Sequence, residues 1–299
     1  MKLSGVHILL TYQCNLQCDH CFVWGSPQQS GTISGADLDR VLHQVHDLDI
    51  VDWVYFEGGE PFLYYALLLR GVRAAVDLGF KVGIVSNGYW ATTVDDAVVC
   101  LEPFAGLVDD LSVSSDIYHW DVHHSQQAAH IQEAAIRLGI PLGIISIAQP
   151  EGAVESAVGQ LPGGESGVMY RGRAAQELAA RAPQYPWEQF VACPYENLRD
   201  PGRIHVDPFG FVHICQGITL GNMSQQPLST ICATYDPDTH PITGPLLAGG
   251  PAELVRHYDV MHPAQVADAC HLCSMACRAL RGRFPQVLVP DQMFAVTWQ

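Results

Sequence analysis

Three cysteines crowd into eight residues near the start of the chain, Cys14-Asn15-Leu16-Gln17-Cys18-Asp19-His20-Cys21. Three thiolates so close in sequence can wrap one side of an iron–sulfur cubane. With no fourth local ligand, one iron stays open to an exogenous group, as an open metal position marks a catalytic site. Structural zinc is the competing reading, but zinc takes four ligands and favours paired C-x-x-C knuckles. A second group lies far downstream: Cys193, Cys215, and the knuckle Cys270-His271-Leu272-Cys273. Four thiolates there suit one fully ligated 4Fe–4S cluster, with a zinc ribbon as the alternative. Cys277 sits one helical turn past Cys273 and is a substitute ligand. Cys232 and Cys100 follow apolar residues and read as buried thiols. Metal centres, not disulfides, are expected of ten cysteines in a reducing compartment.

These residues need a scaffold, and the first two-thirds of the chain alternate strand and helix signals. Apolar runs at 6–11, 53–56, 81–85, 111–114 and 142–147 read as strands, with 168–170 as a sixth. Between the first two, Ser34 caps a helix with Asp37 as its capping-box partner. Its stripe is Leu38, Val41, Leu42, Val45 and Leu48. Helix patterns follow through Leu68, Val72 and Ala75, through Ile131, Ala135 and Leu138, and over about 174–182. Such repeats mean right-handed crossovers and a parallel sheet, here a partial (β/α)6 TIM-type barrel over 1–185 with its site at the C-terminal strand ends. Residues 149–167 read as a long loop. Strand signals at 204–206 and 211–214 flank Asp207-Pro208-Phe209-Gly210, a hairpin. A small hairpin-and-helix domain is expected over 186–299.

The chain has 299 residues, 31 acidic and 15 basic side chains and a net charge of −16. That surface repels polyphosphates, which argues against nucleic acid and anionic membrane as partners. The apolar runs fall short of the roughly 20 residues of a membrane helix, and the start lacks a signal-peptide core, so a cytoplasmic location is expected.

The C-x-x-x-C-x-x-C spacing resembles that of the radical S-adenosylmethionine (SAM) superfamily. Further motifs fall where that family has them. Glu57-Gly58-Gly59-Glu60-Pro61 after the second strand is similar to the GGE motif, which binds the methionine amino group. Ser86-Asn87-Gly88 after the third strand is similar to the S/T-N-G near the ribose, and Ser114, Ser115 and Asp116 end the fourth strand. The resemblance covers about 4–182. It implies that Cys14, Cys18 and Cys21 hold a SAM-binding 4Fe–4S cluster, and that His20, Phe22, Gly58, Gly59, Glu60, Pro61, Ser86, Asn87, Ser114 and Asp116 contact SAM. His20 stands where relatives often carry a carbocyclic aromatic. The C-terminal cysteines resemble the auxiliary-cluster extension called SPASM, or its shorter form, twitch. The count favours twitch, with Cys193, Cys215, Cys270 and Cys273 holding one 4Fe–4S cluster.

What the resemblance implies is reductive cleavage of SAM to a 5′-deoxyadenosyl radical that abstracts hydrogen from a small-molecule or peptide substrate. The auxiliary cluster then serves electron transfer, and a flavodoxin or ferredoxin is the reductant. Thirteen residues precede Cys14, too few for the leader-peptide recognition domain that many peptide-modifying relatives carry, which tips the expectation toward a small molecule or a peptide recognised without such a domain. The alternative is a non-catalytic iron–sulfur electron carrier or a zinc-binding scaffold. Three further groups are open. Tyr118 to His124 lies at the expected barrel mouth as substrate contact, solvated loop or metal site. Arg171 and Arg173 follow the sixth strand signal as anion partners or salt-bridge formers. Arg278, Arg281 and Arg283 read as a solvated helix face or a reductant-docking patch.

Overall fold

A computed structural model describes residues 1–120, 125–151 and 166–295. Five parallel strands follow in order, β1 (Leu3–Leu9), β2 (Trp53–Glu57), β3 (Lys81–Ser86), β4 (Asp110–Ser114) and β5 (Leu142–Ile145). The helices between them are α1 (Gly35–His46), α2 (Tyr65–Asp77), α3 (Val94–Leu101), α4 (Ile117–Trp120) and α5 (Gln126–Leu138). Ser34 caps α1 as expected, its Oγ accepting from the Asp37 amide at 3.1 Å. Leu38, Val41, Leu42 and Val45 of that helix are buried against Val6, Ile8, Val54 and Phe56 of the sheet.

The sixth parallel strand is not where the sequence placed it. Val168–Tyr170 is irregular; among the described residues, a single bridge, Ile147 to Ser166, extends the sheet past β5. After α6 (Ala174–Glu177) and β6 (Tyr185–Pro186), the chain crosses to the other side. There β7 (Gly202–Val206) pairs in parallel with β1, His7 opposite His205. The expected hairpin follows, β7 turning antiparallel into β8 (Phe211–Cys215) and then β9 (Ile218–Asn222). One sheet of order β5-β4-β3-β2-β1-β7-β8-β9 thus runs unbroken across position 185. Six parallel strands backed by helices make a partial TIM-type barrel, in which Val6 and Ile8 of β1 pack with the helices while His7 and Leu9 take the opposite, inner side.

Four more elements close the C-terminal part: α7 (Leu228–Thr234), α8 (Thr243–Tyr258), β10 (Gln265–Val266, paired with β6) and α9 (Ala269–Leu280). Leu254 and Val255 of α8 and Leu272, Ala276 and Leu280 of α9 share a second core with Ile214 and Ile218 of the hairpin. Among the described residues, no helix is long and apolar enough to cross a membrane.

Candidate active site at the strand ends and a second cysteine cavity

The C-terminal strand ends and the loop after β1 enclose a cavity of about 250 Å³. Cys14, Cys18 and Cys21 line it with Gly58 and Gly59 beyond β2, Ser86 and Asn87 at β3, and Ser114 at β4. His20 and Phe22 line it too, as expected, and so does His119. The loop is held tightly. A Cβ on Gly59 would lie 2.1 Å from the Gln13 carbonyl oxygen, so only glycine lets the two loops touch. The Asn87 amide nitrogen reaches Cys14 Sγ at 3.6 Å and Asn15 Oδ1 at 2.8 Å. From the far end of the barrel, Arg173 donates to the carbonyls of Cys18 (2.6 Å) and Gly25 (2.8 Å). Gly172 beside it has φ +58°, and a Cβ there would meet Phe22 Cα at 2.5 Å.

Three expected contact residues stand behind this wall. Glu60 and Pro61 do not line the cavity. The Glu60 side chain is fully buried, its Oε1 accepting from the Phe62 amide (3.0 Å) and Ser86 Oγ (2.9 Å), and its Oε2 from the Asn87 amide (2.7 Å). It caps the short helix beginning at Pro61 and ties the double-glycine loop to the Ser86-Asn87-Gly88 turn. Burial pushes its carboxyl up to about 7, against the pull of those donors. Asp116 is equally buried and takes His119 Nδ1 at 2.7 Å, the Tyr118 amide at 3.0 Å and the Ile147 amide at 3.2 Å. His20 stacks on Tyr118 at 4.7 Å between ring centres, and burial lowers its pKa to about 4. The imidazole is therefore neutral, a flat wall rather than a cation. Of the expected barrel-mouth residues, Asp121 to His124 lie outside the described residues.

The donor set fits an iron–sulfur cluster. Burial pushes the Cys14 thiol up to about 12 and Cys18 higher still, so thiolates here need added positive charge. Among the described residues, no three cysteine sulfurs lie within 4.8 Å of one another. A tetrahedral zinc ion sets sulfurs about 3.8 Å apart, closer than any three cysteine sulfurs among the described residues stand.

A second cavity, of about 280 Å³, adjoins the first. The structure brings Cys193, Cys215, Cys270 and Cys273 together there, from the loop before β7, the end of β8, and α9. The 270–273 knuckle is itself the first turn of α9. Cys270, Cys273 and Cys277 then fall on one helical face, and Cys277 lines the same cavity with its sulfur 4.0 Å from that of Cys273. Asp268, unremarked in the sequence, caps α9 through the His271 amide at 2.6 Å; an Asp just before a cysteine-bearing helix is its readable signal. Cys232 and Cys100 pack against the main core but are only partly buried, where fully buried thiols were expected.

Phe22 and Arg171 line both cavities. The Arg171 guanidinium carbon lies 5.5 Å from the Phe22 ring centre, and Nη1 reaches Glu196 at 3.5 Å and Cys215 Sγ at 3.6 Å. Glu196, also missed in the sequence, is buried and takes Arg203 at 3.2 Å. Of the three C-terminal arginines, Arg278 and Arg283 are exposed, as a solvated face requires, and Arg281 is half-buried. Arg278 lines the second cavity, Arg281 pairs with Asp291, and Arg283 lies over the Tyr258 ring.

A Bacillus subtilis (strain 168) protein named "Putative peptide biosynthesis protein YydG" is 26% identical over 134 residues, 44% of this chain and 42% of its own. An S-adenosylmethionine-dependent nucleotide dehydratase of Fibrobacter sp. (strain UWH6) is 23% identical over 125 residues, 40% of this chain and 35% of its own. The matches thus span less than half the length of these relatives. Among solved structures, BtrN in complex with AdoMet and 2-DOIA has a TM-score of 0.49 at 17% identity, covering 77% of this chain and 83% of that one. Streptococcus suis SuiB bound to precursor peptide SuiA has 0.48 at 14%, covering 90% and 76%. The Radical SAM superfamily model matches residues 8–135, the stretch that holds the three cysteines, the double glycine and the Ser86-Asn87-Gly88 turn, and the chain therefore carries a radical SAM domain.

Proposed function

We propose that the chain is a radical SAM enzyme with one auxiliary 4Fe–4S cluster. It binds SAM in the barrel cavity and abstracts hydrogen from a small-molecule or peptide substrate. The observation that carries this reading is the shared wall: Phe22 and Arg171 line both cysteine cavities, so a substrate at the barrel mouth lies near both. SAM and a cluster on Cys14, Cys18 and Cys21 supply, when bound, a one-electron cleavage to a carbon radical. Residues 186–299 act as the auxiliary unit, with Cys193, Cys215, Cys270 and Cys273 as ligands of the second cluster.

The chain's own residues have definite tasks in this reading. Asn87 fixes Cys14 through its side-chain amide, and the Glu60 carboxylate fixes Asn87 through its backbone amide. Ser86 and Ser114 offer hydroxyls at the strand ends, and the His20–Tyr118 stack offers a flat face to a purine. Ile145, Ile147, Val168 and Met169 give the cavity apolar lining that limits water beside a radical. Both substrate classes are kept because one relative's name refers to peptide biosynthesis and the other's to a nucleotide. A flavodoxin or ferredoxin in the cytoplasm is the expected reductant, a setting that ten free thiols suit.

The test is anaerobic reconstitution, reduction with dithionite, and chromatography for 5′-deoxyadenosine from added SAM. Slow formation without substrate supports the proposal. None from a fully iron-loaded protein, over several reductants, would leave the electron-carrier reading.

A further inference from the structure

We propose that the inner wall of the barrel holds a divalent-metal site that uses no cysteine, formed by His7 of β1, Glu57 of β2 and His205 of β7. The three strands are neighbours in the order β2-β1-β7. Register places His7 directly opposite His205, and Glu57 opposite Leu9, two residues along the same inward face. One ligand atom from each of the three lies within 4.8 Å of the others.

The two ring nitrogens face the two different oxygens of the Glu57 carboxylate, each at a spacing near that of ligands sharing an ion. His7 Nδ1 is 3.2 Å from Glu57 Oε2, and His205 Nε2 is 3.4 Å from Glu57 Oε1. An ion with nitrogen and oxygen ligands at about 2.0–2.1 Å sets tetrahedral edges of about 3.3–3.4 Å. Hydrogen bonding explains only half of the cluster. His7 bonds the carboxylate, but Glu57 Oε1 and His205 Nδ1 have no hydrogen-bond partner among the described residues. The His205 and Glu57 side chains are only 6% and 10% exposed, so these atoms have given up water without replacement. A cation between the carboxylate and the two rings would remove the vacancy at Oε1.

Access and charge also fit. His7 opens onto a cavity of about 310 Å³ at the barrel floor, away from the cysteines, and stacks on Tyr55 at 4.8 Å, which fixes its ring. Arg203 lines the same cavity, but its guanidinium is engaged by Glu196 at 3.2 Å. Two imidazoles and one carboxylate select a borderline ion such as Zn²⁺ or Fe²⁺ over Ca²⁺ or Mg²⁺. Bound there, the ion would staple β7, which arrives late in the chain, to the first two strands.

The test uses the full chain with its clusters reconstituted, and Co²⁺ as probe. We expect one equivalent retained through gel filtration, with weak visible d–d bands and no thiolate-to-cobalt charge transfer, and displaced by Zn²⁺. His7→Phe keeps the stacking on Tyr55 and should lose the cobalt while retaining cluster iron; Glu57→Gln should do the same. Should either variant misfold, the wild type decides by zinc-edge X-ray absorption: a nitrogen/oxygen shell at about 2.0–2.1 Å supports the site. No retained cobalt, or a sulfur shell at about 2.3 Å only, overturns it.

Discussion

Arg173 and Cys18 are 155 residues apart, yet the guanidinium of one donates to the backbone carbonyl of the other at 2.6 Å. A second bond from the same group reaches Gly25, so one side chain grips both ends of the segment carrying Cys21. The gripping residue lies outside that segment, past β5, where 168–170 had read as a strand. The barrel therefore holds the cysteine loop from outside it.

Arg173→Gln should accordingly lower the melting temperature. It leaves two buried carbonyls without their charged donor, at about 1–3 kcal/mol each. After anaerobic reconstitution, iron at the N-terminal site should fall while the C-terminal iron stays. Unchanged iron and melting temperature would show that the grip is incidental.

Changing Cys14, Cys18 and Cys21 together to Ala should leave about four irons per chain of an original eight or so. Changing Cys193, Cys215, Cys270 and Cys273 should do likewise from the other side. Iron and acid-labile sulfide assays count both. Tightly held zinc in the C-terminal site of the unmutated protein would speak instead for a zinc ribbon.

Glu60→Ala removes three hydrogen bonds that hold Ser86, Asn87 and Phe62. Losing even one charge-assisted bond costs about 1.5–3 kcal/mol, which is roughly 10- to 100-fold if expressed in SAM affinity. Equilibrium dialysis of SAM against cluster-loaded protein measures it. Affinity equal to wild type with intact iron would detach Glu60 from the SAM cavity.

The same carboxyl gives a pH signature. Its folded value is raised from 4.5 to about 7. Below the unfolded value both states are protonated and the raised pKa costs nothing. As pH climbs through this window the unfolded carboxyl ionises first, so stability falls toward pH 7. Urea titrations of metal-free protein at several pH values should show this loss, and Glu60→Gln should flatten it. A wild-type profile no steeper than the variant's would count against it.

Arg171→Gln should lower the midpoint potential of the second cluster, by roughly tens of millivolts, since a nearby cation favours the more negative reduced state. The group sits 3.6 Å from Cys215 Sγ. Potentiometry followed by EPR reads the shift; an identical potential would place the guanidinium outside the cluster's field.

What could be read in advance divides along physical lines. The cysteine triplet, the double glycine, the Ser34 cap and the 207–210 turn are local, and each sits where its residue types require. The sixth strand is not local. Val168-Met169-Tyr170 is too short an apolar run to separate strand from loop, and β7 earns its place only by pairing with Leu3–Ile8 of β1. Glu60 is legible from its motif, but its hydrogen-bond partners, in its own following turn and 26 to 27 residues downstream, are set by the fold. Cys277 was legible as a helical neighbour of Cys273; that both face one cavity depends on how α9 packs against the hairpin.

The placement of β7 beside β1 has a consequence for biosynthesis. About two-thirds of the chain must leave the ribosome before the first strand meets its second neighbour. Until then β1 is a free edge, open to pairing with another nascent chain. Non-local pairing of this kind slows folding and lengthens exposure to aggregation. A fragment ending at 185 would carry that exposed edge permanently, and expression should yield aggregates where the full chain yields soluble protein.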